Sequence, residues 1–428
     1  MSEQVPVYIK EVALVDFKGF RGEHKFSFVD ENGDWCRWTV FLGNNNTGKT
    51  NLLKAIASLE PKEDNGNGAE NPFFPLGASY NVFNEESIYG AVFGIDVHPT
   101  VQKFELDDKS KIFVKNQNYN LVYSNTSSQS YSRGHDDKIF NDLSIYGYGV
   151  IRDIEKKGIS TVKNFTLNAE NIFNNSKLLN FEDWLFQLDY AAKNKQEKAA
   201  QRRDLLTTVL TSEIFPEIND IRFTSDENLN NYIEFQTKDG WHKMSELGYG
   251  YQATLSWMVD FCKKLFDRYP ESENPLKEPA VLLVDEIDLH LHPQWQRTII
   301  KYLSDIFTAT QFIVTTHSPF ILQSMENVNL YTLQREGDHT IVSHLGNHSF
   351  IGWKIEEILS EVMGLEDNVN TDQYNALISL FDKALDADDY KQGKEAYEQL
   401  MKILHPQSAE RKLLDIQFSQ LTPDDDKA

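Results

Sequence analysis

The stretch Gly43-Asn44-Asn45-Asn46-Thr47-Gly48-Lys49-Thr50 has the spacing G-x-x-x-x-G-K-[ST], which suits polyphosphate chemistry. Glycines let the backbone approach a phosphate chain, and loop amides with a helix N-terminus supply donors and partial positive charge. Lys49 is the group expected to reach the β- and γ-phosphates, and the Thr50 hydroxyl is expected to hold Mg²⁺. The flanks suit this use. Trp38 to Leu42 is a short β-branched and aromatic run that predicts a buried strand, and Asn51 to Ile56 has apolar residues at helical spacing. A nucleoside triphosphate is therefore the expected ligand, lined by Asn44, Asn45, Asn46, Thr47, Gly48, Lys49, Thr50 and Asn51.

A second group of chemical residues lies far downstream. Ala280-Val281-Leu282-Leu283-Val284 is apolar throughout, as a strand buried on both faces requires, and it ends in Asp285-Glu286. Open α/β sheets bind ligands at that edge, so Asp285 is expected in the Mg²⁺ shell and Glu286 to orient or deprotonate an attacking water. Ile313 to Thr316 predicts another buried strand, ending at His317, a candidate sensor of a γ-phosphate. Ser245 to Gln252 is a glycine-bearing turn that opens a helix through Ala253, Leu255, Trp257 and Met258.

The elements that must position these groups can be followed along the chain. Val7 to Leu14 predicts an opening strand, followed by the turn Asp16 to Arg21. There Phe17, Lys18 and Arg21 could meet a base or ribose, or the two phenylalanines could simply pack in the core. Glu60 to Tyr80 is a surface loop by composition, and short β-type runs recur from Ser87 to Ser124. Ser124 to His135 is polar and expected to be a mobile loop. Ile145 to Arg152 returns to a buried strand, and Phe181 to Leu210 predicts a helix with Trp184, Leu185, Leu188, Tyr190 and Ala191 on one stripe. Tyr232 to Gly240 carries a hairpin signal. In the tail, Tyr374, Leu377, Ile378, Phe381, Ala384 and Leu385 form one helical stripe, and Tyr397, Leu400, Met401, Ile403 and Leu404 another.

Taken together, these motifs resemble ABC-type ATPases of the SMC, RecF and OLD group rather than transporter motors. Gly43 to Thr50 matches Walker A, Ala280 to Glu286 matches Walker B, and His317 matches the switch histidine. Asp288-Leu289-His290-Leu291-His292-Pro293 resembles the D-loop; His290 and His292 could also be metal ligands, but the match favours packing. The resemblance covers most of residues 5 to 335. It implies an α/β fold with an ABC-type P-loop ATPase core, an antiparallel β subdomain, a helical insertion and a small C-terminal helical region. It also implies ATP and Mg²⁺ as ligands, and a homodimer or higher oligomer in which Gly248, Tyr249 and Gly250 of one copy face the loop of the other. Where the family signature carries serine this chain has Gly248, which points to slow hydrolysis. The glutamine loop falls at Gln187 or near Arg152.

A narrower resemblance rests on Gly147 to Arg152 and Asp183 to Ala192. These are similar to the PtuA-type ATPases of Septu anti-phage systems and their retron-associated relatives, which act with a separately encoded HNH nuclease. The implied organisation is an ATPase head over 1–345, with a β insertion about 85–140 and a helical insertion about 180–215. Residues 346–428 would then form a helical region for capping or partner docking.

Composition narrows the partners. The chain has 428 residues, and 42 basic against 65 acidic side chains leave a net charge of −23. That argues against broad nonspecific DNA binding. Lys193 to Arg203 is the most basic window, either a solvated helix face or a local nucleic-acid patch, so a RecF-like DNA-binding ATPase is the alternative reading and DNA contact is otherwise indirect. No apolar run is long enough to span a bilayer, and the N-terminus lacks signal-peptide features. With only Cys36 and Cys262, unpaired by spacing, the expected setting is the reduced cytoplasm, without membrane partners. No nuclease motif accompanies the ATPase set; Asp386 to Asp389 mimics an acidic metal pair but follows a helical stripe, not a strand.

Overall fold

The computed structural model describes residues 8–57, 94–97, 105–107, 111–115, 120–124, 143–154, 168–174, 177–228, 230–365 and 370–421. The expectations for Glu60 to Tyr80, for Ile88 to Phe93 and for residues 125–135 lie outside them. The chain divides into two compact units, residues 1–353 and 354–428.

The first unit opens with β1 (Ile9–Phe17) and β2 (Phe20–Ser27), antiparallel around the Lys18-Gly19 turn. β3 (Trp38–Gly43) leads through the glycine loop into α1 (Lys49–Ala57). β4 (Gly94–Val97) pairs with β1, whereas β5 (Glu105–Asp107), β6 (Lys111–Lys115) and β7 (Asn120–Ser124) make a separate antiparallel sheet. β8 (Ile145–Tyr148) and α2 (Glu170–Asn174) return to the core. Next come α3 (Phe181–Lys193), α4 (Glu197–Leu210) and the antiparallel trio β9 (Asp220–Ser225), β10 (Asn231–Thr237) and β11 (Gly240–Lys243). The long α5 (Tyr249–Arg268) precedes β12 (Ala280–Val284), α6 (Pro293–Ile306), β13 (Thr310–Thr316) and α7 (Pro319–Gln323). β14 (Val328–Glu336) and β15 (His339–His348) close the unit.

The central sheet runs β15-β14-β3-β13-β12-β8 and is parallel except for β15. Every residue of β12 and β13 is buried, because helices cover both faces of a parallel sheet. On one face Leu52, Leu53 and Ile56 of α1 pack with Phe41, Ile145, Val281, Leu283 and Ile313. On the other, Trp257 and Phe261 of α5 meet Tyr148 and Tyr146 edge-on or tilted, and Trp38 stacks on Phe312 at 4.0 Å. The C-terminal ends of β3, β8, β12 and β13 therefore share one edge, which gathers the chemical residues.

Two expectations need correction. The single helix over Phe181 to Leu210 is two helices, because Lys195 takes a left-handed φ of 63° after α3 and the Asn194 backbone N–H turns back to Tyr190, Ala191 and Ala192. Tyr190, expected on the apolar stripe, is 72% exposed. The hairpin, by contrast, forms as expected, with Thr237 paired to Gly240.

The second unit holds a short turn, α8 (Ile355–Glu357), and three longer helices: α9 (Asp372–Asp386), α10 (Tyr390–Ile403) and α11 (Ala409–Phe418). Thr371, Asp389 and Ser408 each accept a backbone N–H of the first turn, so a short oxygen side chain starts every one of the three. Asp389 is thus a cap, the ordinary role for the acidic run at Asp386 to Asp389. Leu377, Phe381, Ala396, Leu400 and Leu414 form the core. Ile403, expected on the inward stripe, is exposed. The boundary expected at residue 345 falls inside β15, whose pairing with β14 continues to His348.

Truncating Leu283, fully buried at the centre of the sheet, should destabilise the fold by about 2–5 kcal/mol in Leu283→Ala. Leu413→Ala, on an exposed helix position, should stay within about 0.5 kcal/mol of the parent. Urea unfolding followed by circular dichroism measures both, and equal effects would contradict this account of the core.

Candidate nucleotide site

The loop between β3 and α1 is built on unusual backbone. Asn46 has φ 65° and Gly48 φ 96°, so only glycine is unstrained at the latter, where the Phe20 ring also lies 3.1 Å from the position of a Cβ. At Gly43 a Cβ would stand 2.3 Å from the Leu333 carbonyl oxygen. Thr47 is buried: its hydroxyl donates to Asn44 O at 2.9 Å, and its carbonyl accepts from the Thr340 hydroxyl at 2.9 Å. Asn44, Asn45, Asn46 and Thr50 are exposed along the loop's outer side, and Asn51 is half-buried.

Lys49 lies folded into this loop. Its Nζ donates to Gly43 O at 2.7 Å and Asn44 O at 3.1 Å, and meets His317 Nε2 at 2.9 Å. Burial lowers its pKa, while Asp285, Glu286 and Asp288 pull it up. A buried ammonium held mostly by loop carbonyls suits a polyanion as an added partner. An ammonium has no acceptor, so the His317 nitrogen facing it is the unprotonated one. His317 is correspondingly depressed below 6.5, first by burial and then by Lys49.

Asp285 is 1% exposed, and both its oxygens are occupied. Oδ2 accepts from the Thr50 hydroxyl at 2.6 Å and Oδ1 from the Thr315 hydroxyl at 2.6 Å. The Thr50 and Asp285 oxygens side by side form a hard donor pair that fits Mg²⁺. Glu286 adopts φ 48°, a left-handed conformation costing a non-glycine residue about 1–2 kcal/mol. Its N–H donates to Thr315 Oγ1 at 2.7 Å, and its Oε1 stands 3.7 Å from His317 Nε2. Beneath the turn, Arg152 Nη2 donates to Asp285 O at 2.8 Å and Glu286 O at 3.1 Å, and Nε to Gly149 O at 3.1 Å. Burial brings Arg152 down to about 10, against the raising influence of Asp285, Asp288 and Glu286.

Lys49, Thr50, Asp285, Glu286 and His317, predicted from separate motifs, thus form one connected cluster. Thr315 and the clamp by Arg152 escaped the sequence reading, although a lone arginine just after the apolar run ending at Tyr148 was a visible signal. The turn before α5, expected to face a second copy, packs against His290 of its own chain. Gly248 precedes the helix without a side-chain cap, and Tyr249 is 55% exposed, its ring edge-on to His290 at 4.7 Å. A Cβ on Gly250 would lie 2.2 Å from the His290 carbonyl oxygen, so contact inside this chain alone requires glycine there. His292 Nδ1 accepts from the Gln294 N–H at 3.4 Å and caps α6. Both histidines therefore have packing or capping roles.

The flanking candidates are not drawn into the cluster. Phe17 is 2% exposed and Phe20 fully buried in the apolar core, which selects core packing over base stacking for these two rings. Arg21 pairs with Asp338, and Lys18 sits exposed in the β1–β2 turn, where its charge adds to burial in lowering the pKa of Lys54 on α1. Gln187 is an exposed residue of α3, a helix that packs on α4, α5 and β10. The basic window is largely answered locally: Lys193 and Arg203 reach Asp189, Lys198 reaches Glu271, and Arg202 bonds Phe266 O.

His317 should therefore remain neutral at pH 7 and titrate below 6.5. Because the unfolded imidazole takes its proton more readily, this group costs stability as pH falls below about 6.5. In Lys49→Met the repelling charge is gone and the His317 titration should move upward. An NMR titration of the imidazole measures both, and an unchanged midpoint in Lys49→Met would refute the assigned contact.

Comparison with known proteins adds relatives. Septu protein PtuA from Bacillus thuringiensis is 35% identical over 208 residues, 47% of this chain and 52% of that protein. Septu protein PtuA from Bacillus mycoides is 25% identical over 384 residues, 87% of this chain and 48% of that protein. The "Retron Ec83 probable ATPase" of Escherichia coli is 42% identical over 89 residues, 21% of this chain and 16% of that protein. The matched region thus spans about half the length of the two Septu relatives. Among the described residues no helix is long and apolar enough to cross a membrane. Residues 39–323, well over half of the chain, match the family profile described as "AAA domain, putative AbiEii toxin, Type IV TA system", and the chain belongs to that family.

Proposed function

We propose that this chain binds and hydrolyses ATP as the ATPase subunit of a bacterial anti-phage defence complex. In that reading it works in the cytoplasm as a nucleotide-bridged homodimer or higher oligomer and regulates a separately encoded HNH nuclease. One observation carries the ATPase assignment: Lys49, Thr50, Asp285, Glu286 and His317 meet at the C-terminal edge of one parallel sheet. The defence role is supported by the relatives named Septu protein PtuA and retron ATPase.

The chemistry follows from the residues. Loop amides and the N-terminus of α1 hold the phosphate chain, and Lys49 exchanges its bonds to Gly43 O and Asn44 O for phosphate oxygens. Thr50 and Asp285 would hold Mg²⁺, which supplies charge neutralisation at the phosphates. Glu286 aligns the attacking water and takes its proton, while His317, neutral and beside Lys49, responds to the γ-phosphate. Gly248 offers no hydroxyl to a facing site, which is the basis for expecting slow turnover. Exposed Tyr249 lies on the turn that would meet a second copy, and exposed Leu413 and Ile416 on α11 suit a protein partner.

The base assignment predicts that Glu286→Gln retains ATP, traps the closed pair and loses about 10²-fold or more in turnover. Lys49→Ala should lose ATP altogether. Fluorescent-nucleotide binding, size-exclusion chromatography with ATP and phosphate release measure these outcomes, and parental turnover in Glu286→Gln would remove the base assignment. Purification from the native operon tests the defence role: recovery without a nuclease, together with unchanged phage sensitivity in Lys49→Ala, would overturn it.

A further inference from the structure

Arg152 is charged, 3% exposed, and has no place in the chemistry assigned above. Its guanidinium edge is nevertheless fully engaged. Nε bonds Gly149 O at 3.1 Å, just past β8, and Nη2 bonds the carbonyls of both Asp285 and Glu286, at 2.8 and 3.1 Å. Successive carbonyls of an extended strand point to opposite sides, so one donor cannot serve two in a row. Here it can because Glu286 turns to φ 48°. The guanidinium therefore matches the turned backbone and not a simple continuation of β12. On the opposite side the Glu286 N–H is held by Thr315 Oγ1 at 2.7 Å, and the Ile287 N–H by Thr315 O at 3.0 Å. Glu286 is pinned from both sides, with its carboxylate 3.7 Å from His317.

We infer that Arg152 is a positioning residue for hydrolysis: by clamping the carbonyls of Asp285 and Glu286 it holds Glu286 in its left-handed turn and aims that carboxylate toward His317 and Lys49. The inference rests on the reading of Glu286 as the group that handles the attacking water. Charge alone does not suffice for this role. A lysine keeps the cation but presents a point donor where the planar fork spans three carbonyls from two strands. Nucleotide affinity is set elsewhere, by the loop amides and Lys49, none of which bonds Arg152 through a side chain.

The test uses the full chain with Arg152→Lys, Arg152→Met and the double variant Arg152→Lys/Glu286→Gln. Arg152→Lys should bind fluorescent ATP within about threefold of the parent while kcat falls about 10²-fold, as expected for a misplaced reacting group. The double variant should turn over no more slowly than Glu286→Gln alone, since both changes disable one device. Arg152→Lys with parental kcat overturns the inference, and so does a parallel loss of ATP affinity, kcat and melting temperature, which marks a purely structural role. Should Arg152→Met not fold, Arg152→Lys decides the matter alone. If Glu286→Gln itself keeps parental turnover, it is the Glu286 reading that has failed, a result separable from failure of the clamp.

Discussion

The site depends on the burial of Asp285. A carboxylate at the end of a strand whose every residue is buried has lost its water, and it persists only if both oxygens find donors. The donors are two threonine hydroxyls from different elements: Thr50, at the start of α1, and Thr315, near the end of β13. This one side chain thereby ties the glycine loop to the neighbouring strand across the sheet. Thr315 is shared further, since its oxygen also accepts the Glu286 N–H. Displacing Asp285 would cut the hydrogen-bonded link between Thr50 of α1 and Thr315 of β13.

Beneath that knot lies a second buried arrangement. The Asp285 N–H donates to Tyr148 O at 2.8 Å, and the Tyr148 hydroxyl donates to Asp260 of α5 at 2.7 Å. Asp260 is in turn paired with Lys264 at 2.8 Å, so this buried carboxylate is both hydrogen-bonded and charge-compensated. The helix opened by Gly248 and Tyr249 is thus joined through β8 to the strand end that carries the carboxylates. Its first turn and the backbone at His290 are in direct contact through Gly250.

Much of this was legible in the sequence because the physics involved is local. The β12 run is apolar throughout and β3 nearly so, because a central parallel strand has no solvent face, and Gly48 answers to the local backbone, which turns there to φ 96°. Other features depend on residues distant in sequence. That Phe17 belongs to the core, Arg21 to Asp338 and Lys198 to Glu271 is decided by folding, whereas the Lys193–Asp189 pair, four residues apart on α3, was open to spacing alone. The break at Asn194 to Gln196 was missed because none of its residues is a glycine or proline, although asparagine before a left-handed turn is a weak stop signal. Arg152 was read only as a neighbour of the glutamine loop, because its value lies in two carbonyls more than 130 residues away.

The distribution of satisfied and unsatisfied groups bears on why such a site would work as a pair. Within one chain the buried members are complete: Asp285 has its two hydroxyls, Lys49 its loop carbonyls and His317, and the Glu286 backbone is held above and below. Left outward are the side chains of Asn44, Asn45, Asn46 and Thr50 and the Gly248–Tyr249 turn. A ligand that bridged these two outward surfaces on different copies would add contacts while exchanging, inside each chain, only the Lys49 bonds to the loop carbonyls. Loss of its terminal phosphate would remove the contacts at Lys49 and His317 first and leave the core network untouched. Differential contact of that kind is what a population switch between open and closed pairs requires.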